Sequence, residues 1–218
     1  MAEEFDKEFW EQRYTGDQSM NPDRQPNPYL LSAARDLVVG SALDAGCGEG
    51  AEAIWLAEHG WTVTALDLAE GALQRARQRA AAHGSGITSR IEWRQVDLTG
   101  WKPADERFDL VCSNYVHPTG SHEEMVRRLA AAVAPGGTLL VVDHLRTDGH
   151  GHGHGHGHGT HTRSDEPMVT RAVDDLSAGI DTDEWEIVVA QEHTRIVAAS
   201  DGEEKMLHDA VLVARRRS

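Results

Sequence analysis

The stretch ALDAGCGEGAEAIWLAEHGWTVTALDLA, residues 42–69, sets Gly46, Gly48 and Gly50 directly after a short apolar run. An acid, Asp67, follows the loop by about twenty residues, the spacing of a nucleotide-binding unit. Glycines in such a turn let the backbone approach a ligand closely. An acid at the end of the next strand can accept hydrogen bonds from ribose hydroxyls. Gly46, Gly48 and Ala51 also satisfy the dinucleotide pattern G-x-G-x-x-G/A.

The neighbouring charges separate two ligand chemistries. A pyrophosphate wants helix N-terminal N–H groups and no competing anions. Here Asp44 precedes the first glycine, Glu49 lies inside the loop and Glu52 opens the following helix. One unpaired like-charge contact at about 4 Å costs about 4 kcal/mol at an effective dielectric near 20. S-adenosylmethionine has ribose and adenine but no phosphate, and it carries an ammonium and a sulfonium against one carboxylate. The acids around the loop attract such a ligand, so the charges favour it over NAD.

Further chemistry-bearing residues follow at strand ends: Asp97, the run Asn114-Tyr115 with His117, and His144. Histidine is the usual general base near neutral pH, which makes His117 and His144 candidates. Tyr115 is a candidate to orient an acceptor or to wall the pocket. Cys47 reads as a small loop residue and Cys112 as a buried apolar one. The run GHGHGHGHGHG, 149–159, is low in complexity and expected to be a flexible linker or lid. Its imidazoles would bind a divalent metal adventitiously, without the fixed geometry of a true site, so no metal-ligating residues are assigned.

These residues need elements to position them. EFDKEFWEQRYTG places Phe5, Phe9 and Trp10 at helical spacing, and Asn27-Pro28 starts a second helix. Strands are expected at Ala42–Ala45, Thr62–Leu66, Ile91–Val96, Phe108–Ser113 and Thr138–Val142, then at Trp185–Gln191 and Ala210–Ala214. Helices are expected over Ala51–Glu58, Ala69–Ala82, Ser121–Ala132 and near Val173–Ala178. Pro135-Gly136-Gly137 should stop the third of these. Strands alternating with helices imply a doubly wound, mostly parallel sheet covered on both faces. Right-handed crossovers then bring every strand's C-terminal end, with its acids and histidines, to one edge.

The chain has 218 residues, with 21 Lys plus Arg against 36 Asp plus Glu and a formal net charge of −15. The length suits one α/β domain. The acidic balance argues against nucleic acid as partner. Two cysteines are no disulfide framework, no apolar run is long enough for a membrane, and the acidic start is unlike a secretion signal. A cytoplasmic protein is expected.

DAGCGEG, ALDLA, QVDL, FDLVCSNYVH and APGGTLLVV, in that order over residues 40–145, resemble the class I S-adenosylmethionine-dependent methyltransferases. EFWEQRY, PNPYL, GCGEGAEAIWLAEHGW and HEEMVRRLAAAVAPGG look like the small-molecule members related to tellurite-resistance and thiopurine enzymes. The resemblance implies a Rossmann-like, seven-stranded sheet with one antiparallel strand, supplied here by Ala210–Ala214. It implies a single domain: a helical cap (1–40), a cofactor core (41–145), the His/Gly-rich insert (146–170) and a C-terminal helix and strand pair (171–218). It implies that Asp44, Gly46, Gly48 and Gly50 form the methionine-side loop. Asp67 would hold the ribose, Leu68 would pack on adenine, and Asp97 and the backbone of Leu98 would meet adenine's polar edge. Asn114 and Tyr115 would face the reactive end, with Trp10 and Tyr14 closing the site. The loop MNPDRQ lacks the Trp and Gly that cover the cofactor in many relatives, and Met20 stands in for part of that cover. The expected reaction is methyl transfer to a small thiol, chalcogen, oxygen or nitrogen acceptor, releasing S-adenosylhomocysteine, with His117 and Tyr115 as catalytic candidates. The rival readings are an NAD-dependent oxidoreductase and a His-rich metal-binding protein with a vestigial cofactor site.

Overall fold

A computed structural model describes residues 6–14, 24–145, 172–198 and 204–218. The elements run α1 (Lys7–Tyr14), α2 (Pro28–Ala34), β1 (Ser41–Ala45), α3 (Ala51–Glu58), β2 (Thr62–Asp67), α4 (Glu70–Ala82) and α5 (Ser85–Thr88). Then follow β3 (Ile91–Gln95), β4 (Phe108–Asn114), α6 (His122–Ala131), β5 (Val133–His144), α7 (Val173–Ser177), β6 (Trp185–Ala198) and β7 (Glu204–Arg216). One seven-stranded sheet has the order β3-β2-β1-β4-β5-β7-β6. Its first five strands pair in parallel, and β7 runs antiparallel to both β5 and β6. The expected Rossmann-like α/β class with one antiparallel strand is what the chain adopts.

Side-chain alternation along the strands divides the core into two layers. Leu43, Ala45, Val111, Leu139 and Val141 face one layer with Met125, Val126 and Leu129 of α6. Ala42, Leu110, Cys112, Leu140 and Val142 face the other, with Leu30 of α2, Ile54 and Leu56 of α3 and Leu73 of α4. Central strands buried on both faces read as continuous apolar runs, as parallel strands do.

The ends of several elements differ from expectation. Pro135-Gly136-Gly137 lies inside β5, because Val133 already pairs with Phe108 before the register slips by a bulge. The helix therefore ends at its C-cap Ala132, ahead of the proline. β6 and β7 pair from Trp185↔Arg216 out to Ala198↔Glu204, well past the short apolar runs that mark them in the sequence. Their outer halves mix polar residues with exposed Ile196 and Met206, because they extend the hairpin beyond the packed sheet. α5 has four residues and no apolar period, so nothing in its pattern announces it. Met20 and the His/Gly run lie outside the described residues. Among the described residues no helix is long and apolar enough to cross a membrane, and no cluster of three metal-ligating side chains occurs.

Candidate active site

The carboxyl ends of β1, β2, β4 and β5 open into a cleft of about 620 Å3. Its floor is the glycine loop. Gly46 has φ +81° and its missing side chain lets Val116 pack against it; a Cβ there would collide with that valine. Gly48 has φ +52°, also left-handed, where glycine fits without strain. The loop is tied to β2: the N–H groups of Gly46 and Cys47 donate to the Leu66 carbonyl at 2.8 and 2.9 Å. Gly48 N–H donates to Asp67 Oδ2 at 2.8 Å, and Ala69 N–H donates to Oδ1 at 2.9 Å. Glycine loop and acid thus form one unit. Burial pushes the Asp67 carboxyl up from its ordinary range, against the backbone N–H bonds that hold it down.

The N-terminal helix is docked over this floor by a carboxylate. The first residue before α4, Ala69, has no capping side chain. Glu11 of α1 supplies the cap instead, accepting from Glu70 N–H at 3.0 Å and Gly71 N–H at 3.2 Å. That docking brings Trp10 and Tyr14 onto the cleft wall. Burial and the nearby Asp67 raise the Tyr14 phenol well above its usual pKa. Its hydroxyl lies 3.4 Å from the place a Gly48 Cβ would occupy.

Gly46, Gly48, Asp67, Leu68, Asp97, Leu98, Asn114, Tyr115 and His117 all line the cleft. Both amide atoms of Asn114 are buried with no hydrogen-bond partner among the described residues, a donor and an acceptor waiting on the wall. Asp44 and Gly50 stand behind the wall instead. Asp44 is 1% exposed and lies beneath the loop, 3.8 Å from the Cys112 thiol. Burial, then Glu52 and Asp67, push its carboxyl well up. Gly50 turns toward the ring of Trp93 and toward Ala76, where a Cβ would clash. Burial also raises both thiols, which keeps Cys47 and Cys112 neutral and unreactive.

Glu49 and Glu52 do reach the wall. Glu49 pairs with Arg75 at 3.1 Å. Glu52 accepts from the Asn27 N–H at 3.1 Å, which fastens α2 to the loop. On the other side, His117 lies parallel to Trp10 with ring centroids 6.3 Å apart, and 6.5 Å from His144. Tyr115 stacks on His144 at 4.4 Å. Its φ is +57°, a left-handed conformation that costs a bulky residue on the order of 1–3 kcal/mol and persists only where neighbours hold it.

Those neighbours were not legible in the sequence. Tyr115 Oη donates to Asp209 Oδ1 at 2.9 Å and accepts from Arg195 Nη2 at 2.8 Å. Arg195 Nε donates to Asp209 Oδ2 at 2.6 Å, and Tyr29 Oη donates to the same oxygen at 3.1 Å. Asp209 is fully buried. Burial and Asp209 raise both phenols, Tyr29 up to about 12. The four residues come from α2, the end of β4, β6 and β7, so no local spacing links them. An arginine at the cleft wall is the one feature whose type alone could have drawn notice.

A doubly wound sheet with a glycine loop after β1, an acid ending β2 and an antiparallel last pair defines a class. Residues 42–137 match a methyltransferase-domain family model. The 2-heptyl-1-hydroxyquinolin-4(1H)-one methyltransferase of Mycobacteroides abscessus is 34% identical over 122 residues, 54% of this chain and 52% of its own. The N-methyltransferase NodS of Bradyrhizobium japonicum WM9, solved with S-adenosyl-L-homocysteine, superposes with a TM-score of 0.68 at 19% identity. That match covers 97% of this chain and 98% of NodS. TehB of Haemophilus influenzae has a TM-score of 0.67 at 17% identity, covering 97% of this chain and 67% of TehB. The chain is thus similar to methyltransferase domains over residues 42–137 and shares the fold of solved methyltransferases over nearly its whole length. It spans about half the length of curated relatives it matches.

Proposed function

We propose that this chain is an S-adenosylmethionine-dependent methyltransferase acting on a small acceptor. The carrying observation is Asp67, bonded through Oδ2 to Gly48 N–H inside the cleft, which joins loop and ribose-binding acid in one rigid unit. The donor set fits the cofactor. Carboxylates line the loop side, and Asn114 offers an unsatisfied donor and acceptor. S-adenosylmethionine, when bound, supplies a methyl group activated on a sulfonium.

Asp67 keeps lone pairs for the ribose hydroxyls beyond the two N–H bonds it already accepts. Leu68 packs on adenine, while Asp97 and the Leu98 backbone meet its polar edge. Gly46 and Gly48 leave room for the methionine end, Asn114 bonds to it, and Glu49 and Glu52 favour its positive charge. Asp44 and Gly50 act from behind, holding the loop. Trp10 and Tyr14 cover it and exclude water.

The chain's contribution to transfer is alignment, which in favourable cases supplies up to about 7–11 kcal/mol. Tyr115 stays protonated at neutral pH, since burial raises its phenol. It walls and orients the acceptor and takes no proton from it. His117 lies on the same wall and accepts the proton of an acceptor that arrives un-ionised. A small acceptor is supported by the size of the cleft and by the Mycobacteroides relative, named for a small heteroaromatic compound.

Calorimetry tests the reading. S-adenosylhomocysteine should bind and NADH should not. A screen of thiols, chalcogen oxyanions, phenols and amines, reading S-adenosylhomocysteine release, then finds the acceptor. Binding of NADH in place of S-adenosylhomocysteine would sink the proposal.

A further inference from the structure

The N-terminal segment brings Lys7, Arg13 and Arg24 to the cleft wall, whereas the charged residues set there by the sheet itself are sorted by strand. Glu49, Glu52, Asp67 and Asp97 follow β1, β2 and β3, one half of the sheet. Arg195 comes from β6 and His144 ends β5, in the other half. A cation-bearing donor on the acidic half leaves the basic half to the second substrate.

Arg195 is mounted for that purpose. A guanidinium has two edges that can each make a paired contact: one through Nε and Nη2, one through Nη1 and Nη2. The first edge is spent on Asp209 at 2.6 Å and the Tyr115 hydroxyl at 2.8 Å. Both acceptors are fixed in turn, Asp209 by the phenols of Tyr115 and Tyr29 and Tyr115 by its stack on His144. Among the described residues Nη1 has no partner, and the side chain is 26% exposed on the cleft wall. A planar fork held rigid by a buried carboxylate, with its second edge unpaired among the described residues, matches the geometry of a carboxylate ligand. Such pre-organisation lowers the entropy lost on docking. Across the cleft the carboxylate would also be drawn toward the donor's positive charge.

We propose that Arg195 docks a carboxylate group of the methyl acceptor, so that the enzyme selects small carboxylate-bearing acceptors over their neutral counterparts. The proposal rests on the methyltransferase reading. It assigns the anchor, and the nucleophile is whichever acceptor atom the anchored molecule presents to the donor.

Acid and amide pairs test it: 4-hydroxybenzoate and 4-hydroxybenzamide, 3-mercaptopropionate and its amide, glycine and glycinamide. Each is titrated by calorimetry into protein saturated with S-adenosylhomocysteine, then assayed for turnover with S-adenosylmethionine. In at least one pair the acid should bind about 10- to 100-fold tighter than the amide, the size of a charge-assisted paired contact. Arg195→Gln should erase that preference while leaving S-adenosylhomocysteine affinity within about threefold of wild type, a factor below one paired contact. Arg195→Lys keeps a charge beside Asp209, so it serves if the glutamine variant fails to fold. Lacking the planar fork, it too should narrow the acid-to-amide ratio. Amides binding as well as acids, no acid binding at all, or a preference that survives in both variants would overturn the assignment. A collapse of S-adenosylhomocysteine affinity in the variants would place Arg195 on the cofactor instead. Failure of wild-type protein to bind S-adenosylhomocysteine would strike the methyltransferase reading itself, a separate result.

Discussion

The hydroxyl of Tyr115 donates to Asp209 Oδ1 across 2.9 Å, joining the end of β4 to β7 over 94 residues of chain. The bond, with the Arg195 contact and the His144 stack, holds a tyrosine at φ +57° on the cleft wall. An interaction of such reach makes this side of the cleft depend on the last hairpin, and Asp209 is its buried centre.

Asp209→Asn should therefore destabilise the fold. The substitution leaves Arg195 and two phenols facing a neutral amide. Breaking a buried pair costs about 3–5 kcal/mol, and partial exposure of Arg195 puts the expected loss near the lower bound. Urea denaturation of wild type and variant measures it. A difference under about 1 kcal/mol, the worth of an exposed ion pair, would show that the cluster is a surface contact.

Asp67→Ala should remove most cofactor affinity with little change in fold. The carboxylate accepts only backbone N–H groups within the protein, so its loss frees loop donors that solvent can satisfy. Calorimetry with S-adenosylhomocysteine should show a loss of about 10- to 100-fold or more, the worth of charge-assisted bonds to ribose. Far-ultraviolet circular dichroism should stay unchanged.

Acid should weaken S-adenosylhomocysteine binding before ordinary carboxylates titrate. Burial raises the folded-state pKa of Asp67, and in the proposed binding mode the ligand's hydroxyls bond to the ionised form. Binding therefore releases a proton and strengthens as pH rises through that raised pKa, levelling off above it. For the ligand-free protein the sign is reversed. The raised folded pKa costs stability as pH climbs past the unfolded value near about 3.9, so thermal stability should fall over the same window. Affinity that is flat from neutrality down to about pH 4, the ordinary carboxylate range, would separate Asp67 from the ligand.

His117→Ala should slow turnover for acceptors that arrive protonated and spare those that arrive ionised. A thiol assayed above its pKa and a phenol assayed below its pKa give the comparison through kcat. Equal losses with both would assign His117 to packing against Trp10 and His144.

Local pattern carried the cofactor half of the site. β1, β2 and β4 are short apolar runs bounded by turns, so their ends could be placed within a residue or two. Once strand ends are known, right-handed crossovers oblige Gly46, Asp67, Leu98 and Asn114 to share one edge. Asp44 was misplaced relative to the wall for a reason of the same kind. It sits one residue inside the strand pairing, where its partner is Cys112, so its side chain points into the sheet's cover and not into the cleft.

The amino-acid sequence by itself determined the doubly wound sheet, the glycine loop and the acids around it, because each depends on interactions within a few residues or on a handedness common to all such folds. Only the tertiary structure decided which residues form the cluster beside the cleft. Tyr29, Tyr115, Arg195 and Asp209 meet through long-range pairing of β5, β7 and β6, and a contact whose partners lie far apart in the chain has no periodicity to betray it.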